Sequence, residues 1–186
     1  MTDTHAEIEP DVVDLLIAQH SEIRDLFTEV ENAEGEARQQ AFDRLRVLLA
    51  VHETAEEELV HPFAKRNVPG GDGVVEDRLA EERQAKVILK QLDETGTGDA
   101  RFDELFERLR DGVLKHARSE ERFEFMKLRE HADPDLLRSM AAAVKAAEAV
   151  APTRPHPGVE TAVENLAVGP LAAVVDRVRD AIRSRT

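Results

Sequence analysis

Two turns of the sequence pair a histidine with a glutamate four residues later: His52 with Glu56, and His116 with Glu120. Residues four apart lie on one face of a helix, close enough to reach a common centre. Each pair also falls on the apolar stripe of its segment, the face that a helical bundle buries. Because burying an unpaired imidazole or carboxylate costs on the order of several kcal/mol, these pairs need a compensating partner, and a shared cation would supply one.

Glycine and proline divide the chain into long segments that lack the alternating, β-branched pattern of strands. Loops are expected at 67–73 and 95–98, and a proline-rich linker at 152–158. The uninterrupted segments predict helices near 11–31, 36–66, 74–94 and 100–131. Short loops between long amphipathic helices favour an all-α fold, an antiparallel up-down four-helix bundle with a C-terminal helical extension.

We therefore divide the chain into a metal-binding bundle at 11–131 and an extension at 134–186 that contains the linker. Helices are expected in the extension near 134–150 and 169–184. The apolar stripe of the latter favours packing on its own bundle over a dimer contact or a lid. Without a basic leader or a long apolar run, no signal peptide or membrane span is expected. The default expectation is a cytoplasmic monomer or weak dimer.

Each bundle helix carries a histidine or glutamate in the middle of its apolar stripe. The stripe of the fourth is Phe102, Leu105, Leu109, Val113, His116, Glu120, Phe123 and Lys127. On the first and third stripes the polar residues are His20 and Glu82. Residues at the middle of antiparallel helices lie at one level of a bundle. The candidate metal ligands are His20, His52, Glu56, Glu82, His116 and Glu120.

The chain also repeats itself, since the residues from His52 match those from His116 at an offset of 64. This repeat predicts two helical hairpins related by a pseudo-twofold axis, each with half of a two-metal site. Carboxylates can bridge two cations and imidazoles cannot, so Glu56 and Glu120 are expected to bridge. The other candidates are expected to complete the coordination of the two metals, His20 and His52 on one and Glu82 and His116 on the other. Mixed imidazole and carboxylate ligation suits iron, manganese or zinc rather than calcium.

Neighbouring residues offer alternatives. Glu81 is as acidic as Glu82, and only the phase of the stripe favours Glu82 as the third-helix ligand. His61 is expected to pack, or to support a ligand, rather than to bind metal. Three glutamates lie off the stripes and are expected to be solvated or to act behind the ligands: Glu53, Glu57 and Glu121. For the paired residues the alternative is ordinary surface charge, against which the stripe phase argues.

Over about residues 11–131 the chain resembles the hemerythrin-like HHE cation-binding domains. The resemblance lies in Asp11-Val-Val-Asp-Leu-Leu-Ile-Ala-Gln-His20 and in the two blocks His52-xxx-Glu56-Glu57 and His116-xxx-Glu120-Glu121, the first ending at Pro62. It implies a centre of two non-haem iron ions with an oxo-type bridge. It also implies oxygen binding or sensing, iron handling, or reactions with peroxide or nitric oxide.

The third helix departs from the family pattern. Glu82 stands where the family usually has a histidine, and Arg78 stands where hemerythrins proper carry another. Carboxylate charge stabilises ferric iron, whereas reversible oxygen carriage needs a durable diferrous state. We therefore expect a protein that binds or reacts with peroxide or another small oxidant, with catalase-like or peroxidase-like activity as one form. The alternatives are a non-catalytic sensing or storage module for oxygen, nitric oxide or iron, and a zinc-stabilised bundle.

Composition narrows the possible ligands and partners. The chain has no cysteine, which excludes thiolate ligands and disulfides. Its formal net charge of -14 would repel a phosphate backbone, so nucleic acid is not an expected partner. The expected partner is a small diatomic molecule or peroxide.

Overall fold

The computed structural model describes residues 9–150, and every regular element in that range is helical. The helices are α1 (Val12–Asn32), α2 (Gly35–Ala55), α3 (His61–Asn67), α4 (Gly71–Thr95), α5 (Phe102–Phe123), α6 (Phe125–His131) and α7 (Pro134–Val150). A π-helical turn, Glu56–Val60, joins α2 to α3 without a loop. With α2–α3 and α5–α6 each counted as one rod, four rods form the bundle, and the all-α prediction is confirmed.

The helix ends follow local signals. The side chain of Asp11 accepts a hydrogen bond from the backbone N–H of Asp14, and the Asp14 carboxylate accepts one from the N–H of Asp11. This reciprocal capping satisfies the first turn of α1. At the α3–α4 turn Gly70 has φ 75°, which glycine adopts without strain. A Cβ on Gly71 would lie 2.1 Å from the carbonyl oxygen of Ala64, so only glycine fits there.

Two apolar clusters fill the bundle, one on each side of a polar level. The first includes Leu16, Val60 and Phe125, and the second includes Phe27 and Phe106. Helix α7 packs on α1 and α2, and it adds Leu137, Met140, Ala141 and Val144 to the first cluster. Helix α7 and the bundle therefore share one core. The division of the chain between residues 131 and 134 stays a prediction.

Two interruptions of the helical rods are absent from the sequence prediction. In the second rod the N–H of His61 bonds to the carbonyl of Glu56, the spacing of a π-helix. In the fourth rod α5 ends at Phe123, and α6 begins after Glu124. Phe123, expected on the inward stripe, is 55% exposed, while the next two residues, Glu124 and Phe125, are buried.

Elsewhere the predicted helices agree with the observed ones to within a few residues. None of the described helices is long and apolar enough to cross a membrane. The linker and the helix expected near 169–184 lie outside the described residues.

Candidate metal site

All six candidate ligands lie buried at the polar level between the two apolar clusters. Their ligand atoms form two groups, each within 4.8 Å. The first group consists of His20, His52, Glu56 and Glu120, and the second of Glu56, Glu82 and His116. Glu56 belongs to both, which is the position of a bridging carboxylate. The structure thus brings together every residue in the predicted set, and their binding of metal stays a prediction.

In the first group the imidazoles of His20 and His52 point at each other. Their Nε2 atoms are 3.1 Å apart. The Nε2 of His20 lies 3.3 Å from an oxygen of Glu120, and the Nε2 of His52 lies 3.3 Å from an oxygen of Glu56. Two nitrogens and two carboxylate oxygens therefore converge on one small volume, as the ligands of a tetrahedral or larger metal shell do.

The second group has fewer donors. The Nε2 of His116 lies 3.1 Å from Glu120 and 3.8 Å from Glu56. Although the His116–Glu120 distance suits a hydrogen bond, the geometry does not, and neither atom has a hydrogen-bond partner among the described residues. Both Glu56 and Glu120 therefore lie close to His116, and the two groups are continuous.

Each of the three imidazoles is held by a contact on its outward side. The Nδ1 of His20 lies 2.9 Å from Glu121, and that of His116 lies 3.1 Å from Glu81. The Nδ1 of His52 lies 2.8 Å from the amide oxygen of Gln19. An acceptor at Nδ1 fixes the proton there and leaves Nε2 with a lone pair aimed inward, which is the usual support of a metal-bound histidine.

The two adjacent glutamates of the third bundle helix, α4, take different positions. Glu82 is 2% exposed and lies in the second group, whereas Glu81 lies on the outer side of His116, where it also pairs with Arg78 and Lys115. The geometry therefore favours Glu82 as the candidate ligand. Glu81 supports His116 from behind.

Several buried ligand atoms lack any hydrogen-bond partner among the described residues. They are both carboxylate oxygens of Glu56 and of Glu120, Oε2 of Glu82, and Nε2 of His116. Buried polar atoms in folded proteins are nearly always paired. Six unpaired atoms at one level thus provide an independent indication that the residues present fit a cation.

Burial and mutual repulsion set the protonation of these groups in the absence of a cation. Burial and the nearby charge of Glu120 raise the pKa of Glu56 well above its ordinary value. Burial opposes protonation of His116, but the carboxylates of Glu120 and Glu56 raise its pKa to about 12. The cluster therefore holds protons at neutral pH that bound cations would displace.

The family model of the hemerythrin HHE cation binding domain matches residues 11–128. The chain belongs to this family. Among solved structures, the chain is similar to the hemerythrin HHE cation binding domain-containing protein of Mycobacterium kansasii, a homologue of Rv2633c. The TM-score is 0.67 and the identity 21%, over 90% of this chain and 98% of that one. At this identity the likeness concerns the fold.

A curated relative of this HHE domain is the DNA nickase of Nostoc sp.. It is 25% identical over 138 residues, which are 74% of this chain and 39% of the relative. The chain thus spans well under half of that protein.

His61 lies behind the second ligand group of this HHE domain. Its Nε2 lies 2.7 Å from Glu82 and its Nδ1 lies 3.2 Å from Glu124. Burial opposes its protonation, but hydrogen bonds to Glu124 and Glu82 raise the pKa of His61 to about 10. A protonated His61 donates to both carboxylates and orients Glu82, which agrees with the expected supporting position.

Three supporting residues were missed by sequence reasoning. Gln19 is next to His20 in sequence, but its helical phase gives no sign that it reaches His52. The side-chain amide of Gln19 donates to Glu148 of α7 at 2.5 Å. Glu124 lies four residues after Glu120 and eight after His116, so its helical phase marks it as inward-facing, and it is buried. No local pattern marks Glu148, since its contact with Gln19 depends on tertiary packing.

Among the flanking glutamates, Glu53 and Glu57 pair with Lys86 of α4. Glu53 is 9% exposed, and burial raises its pKa to about 7. Glu57 and Glu121 are only partly buried. All three lie outside both ligand groups, and the expectation that they are solvated or act behind the ligands stays a prediction.

Proposed function

We propose that this HHE domain binds two iron ions through the six clustered side chains and reacts there with peroxide or a related small oxidant. Glu56 and Glu120 bridge the ions in this proposal. His20 and His52 complete one ion, and Glu82 and His116 complete the other. The observation that carries the proposal is the sharing of Glu56 by two ligand groups.

The donor set supports iron. Three imidazoles and three carboxylates suit iron, manganese or zinc, whereas calcium and magnesium prefer oxygen alone. Iron would supply redox chemistry, and the abundance of carboxylate charge would favour its ferric state. Manganese and zinc are the competing metals, and metal analysis separates them.

The site leaves room for a small ligand. With Glu56 and Glu120 shared, each ion would have ligands from four side chains, which leaves open coordination positions for an added molecule. A partly enclosed cavity of about 20 Å³ adjoins ligands of both groups, His20 and His52 of the first and Glu82 and His116 of the second. That volume admits roughly one or two molecules of the size of water.

In the proposed reaction two molecules of hydrogen peroxide are consumed. One loses two electrons and two protons and becomes oxygen, and the other gains them and becomes two waters. The protein supplies positions for the protons and excludes bulk water, because the six ligands lie in an otherwise apolar interior. His61 and the outer partners of the histidines hold the ligands in place.

The test is oxygen evolution from peroxide by protein loaded with ferrous iron under anaerobic conditions. We expect two iron ions per chain, and turnover per iron well above that of free iron. Glu56→Gln should lose both metal and turnover, while Glu130→Gln, at an exposed position on α6, should keep them. One zinc and no iron would contradict the proposal. Two irons without turnover would instead favour a binding or storage module.

The activity named for the Nostoc relative does not carry over to this proposal. The chain covers 39% of that protein. The formal net charge of -14 on the present chain also disfavours contact with a nucleic-acid backbone.

A further inference from the structure

Gly112 lies in the middle of α5, where glycine destabilises a helix relative to alanine. Its backbone does not require glycine, since its φ is not positive. Packing does not require it either, because a Cβ at Gly112 would have no heavy atom within 4 Å. Neither of the usual structural reasons for a helical glycine applies at this position.

Gly112 does line the cavity beside the candidate metal site. On the inner side the cavity meets His52, Glu82 and His116, and on the outer side it runs between Gly112 of α5 and Ala85 of α4. Gly112 is exposed to solvent, whereas the candidate ligands on the inner side are buried. The cavity thus connects a solvent-exposed glycine to the ligand cluster.

Two of the carboxylates that line this opening are paired with cations. Glu81 lies 3.2 Å from Arg78 and 3.4 Å from Lys115, and Glu53 lies 3.5 Å from Lys86. A second cavity of the described residues lies against α1, α2 and α7 and touches none of the six candidate ligands. The cavity that does reach the ligands opens between α4 and α5, which makes this gap an approach to the site.

We propose that Gly112 keeps open the entrance through which small oxidants, of the class of hydrogen peroxide, reach the metal site. The inference rests on the proposed function, since it assumes metal at the ligand cluster. A large side chain at this position would extend across the gap toward α4 and obstruct passage. It would replace none of the six ligands or their outer partners.

The experiment measures azide, a small anion, binding to the diferric full-length protein by stopped-flow absorbance. Gly112→Phe should lower the association and dissociation rate constants together, by about tenfold or more. An entrance affects both directions of passage equally, so the dissociation constant should stay within about twofold. Gly112→Ala should bind azide as the parent does and unfold at a higher temperature.

Gly73→Phe is the matched control, because Gly73 is another exposed helical glycine without neighbours and lies away from the cavity. Iron content and thermal unfolding are measured for every variant. Unchanged rates in Gly112→Phe would overturn the inference. So would a weakened dissociation constant at an unchanged association rate, or equal slowing in Gly73→Phe. A parent protein that holds no iron would instead overturn the proposed function.

Discussion

Glu56 shows at the scale of one residue why this site needs a cation. Its carboxylate is fully buried, and neither oxygen has a hydrogen-bond partner among the described residues. Its nearest charged neighbours include a second buried carboxylate, Glu120, and that repulsion adds to the cost of burial. A divalent cation between the two would offset both costs, which is why ligation by Glu56 is the strongest single-residue prediction.

The two glutamates of α4 allow a matched test of ligand assignment. Glu82→Gln should reduce bound iron from two ions to about one per chain, because Glu82 belongs only to the second group and an amide oxygen is a weaker ligand than a carboxylate. Glu81→Gln should retain both ions, since it keeps an oxygen that can accept from His116. Metal analysis after gel filtration distinguishes them. Loss of iron from the Glu81 variant alone would contradict the assignment.

His61 joins two buried carboxylates, so its removal should destabilise the fold. His61→Leu leaves Glu82 and Glu124 without their shared donor. Breaking a buried ion pair in this way costs about 3–5 kcal/mol. Urea unfolding of the metal-free protein measures the change. His131→Leu is the control, because His131 is exposed and contacts only a backbone carbonyl. Equal effects in the two variants would be inconsistent with the buried network.

At the scale of elements, the two rods that carry the His–Glu pairs are both interrupted close to their glutamates. The π-turn begins at Glu56, and the α5–α6 break lies at Glu124, four residues after Glu120. A π-turn inserts an extra residue and rotates the following side chains. After this turn His61 lies behind Glu82, and Glu124, in helical phase with Glu120, lies beside His61.

Helix α7 reaches the metal site through one relay of side chains. Glu148 accepts from Gln19, and Gln19 accepts from His52. Gln19→Leu should lower metal affinity by about 10- to 100-fold, the usual effect of losing such an outer partner. Glu148→Gln should have a smaller effect in the same direction. Lys145→Gln, at an exposed position on α7, is the control. Competition with a chelator reports the affinities, and unchanged binding in Gln19→Leu would exclude the relay.

At the scale of the whole molecule, the polar level divides an otherwise apolar interior into two clusters. Such a level is costly on its own and favourable with bound cations. Metal binding should therefore contribute directly to folding stability, as it does wherever the binding site exists only in the folded chain.

Metal removal should lower the thermal unfolding midpoint. A ligand present at 100 times its dissociation constant stabilises the folded state by about 2.7 kcal/mol. Differential scanning calorimetry with and without a chelator measures the change. The variant Glu56→Gln should show no chelator effect, which controls for the chelator itself. A parent protein insensitive to chelation after verified metal loss would contradict the expectation.

Metal binding should also release protons. Without a cation His116, whose pKa is raised to about 12, and Glu56, whose pKa is raised by burial, hold protons near neutral pH. Ligation requires both groups unprotonated, so affinity should rise with pH, about tenfold per pH unit for each proton released. Zinc titration in weak buffer with an indicator dye measures the release. Binding without proton release would contradict this expectation, since it would show that both ligands are already unprotonated before the metal binds.

The sequence alone determined the four rods and the six candidate ligands, because both depend on helical periodicity. Residues three and four apart share a face in any helix. His20 and Glu82 could therefore be placed inward without knowledge of the packing. The family resemblance based on these residues agrees with the family match over 11–128.

Only the tertiary structure decided how the paired His–Glu turns are held and reached. The contacts of His61 with Glu124 and of Gln19 with Glu148 join residues far apart in sequence. No local periodicity encodes such contacts. The π-turn is likewise a change of one residue in backbone register, which a pattern of residues three and four apart does not detect. The entrance beside Gly112 exists only between packed helices, so its position follows from the way α4 and α5 meet.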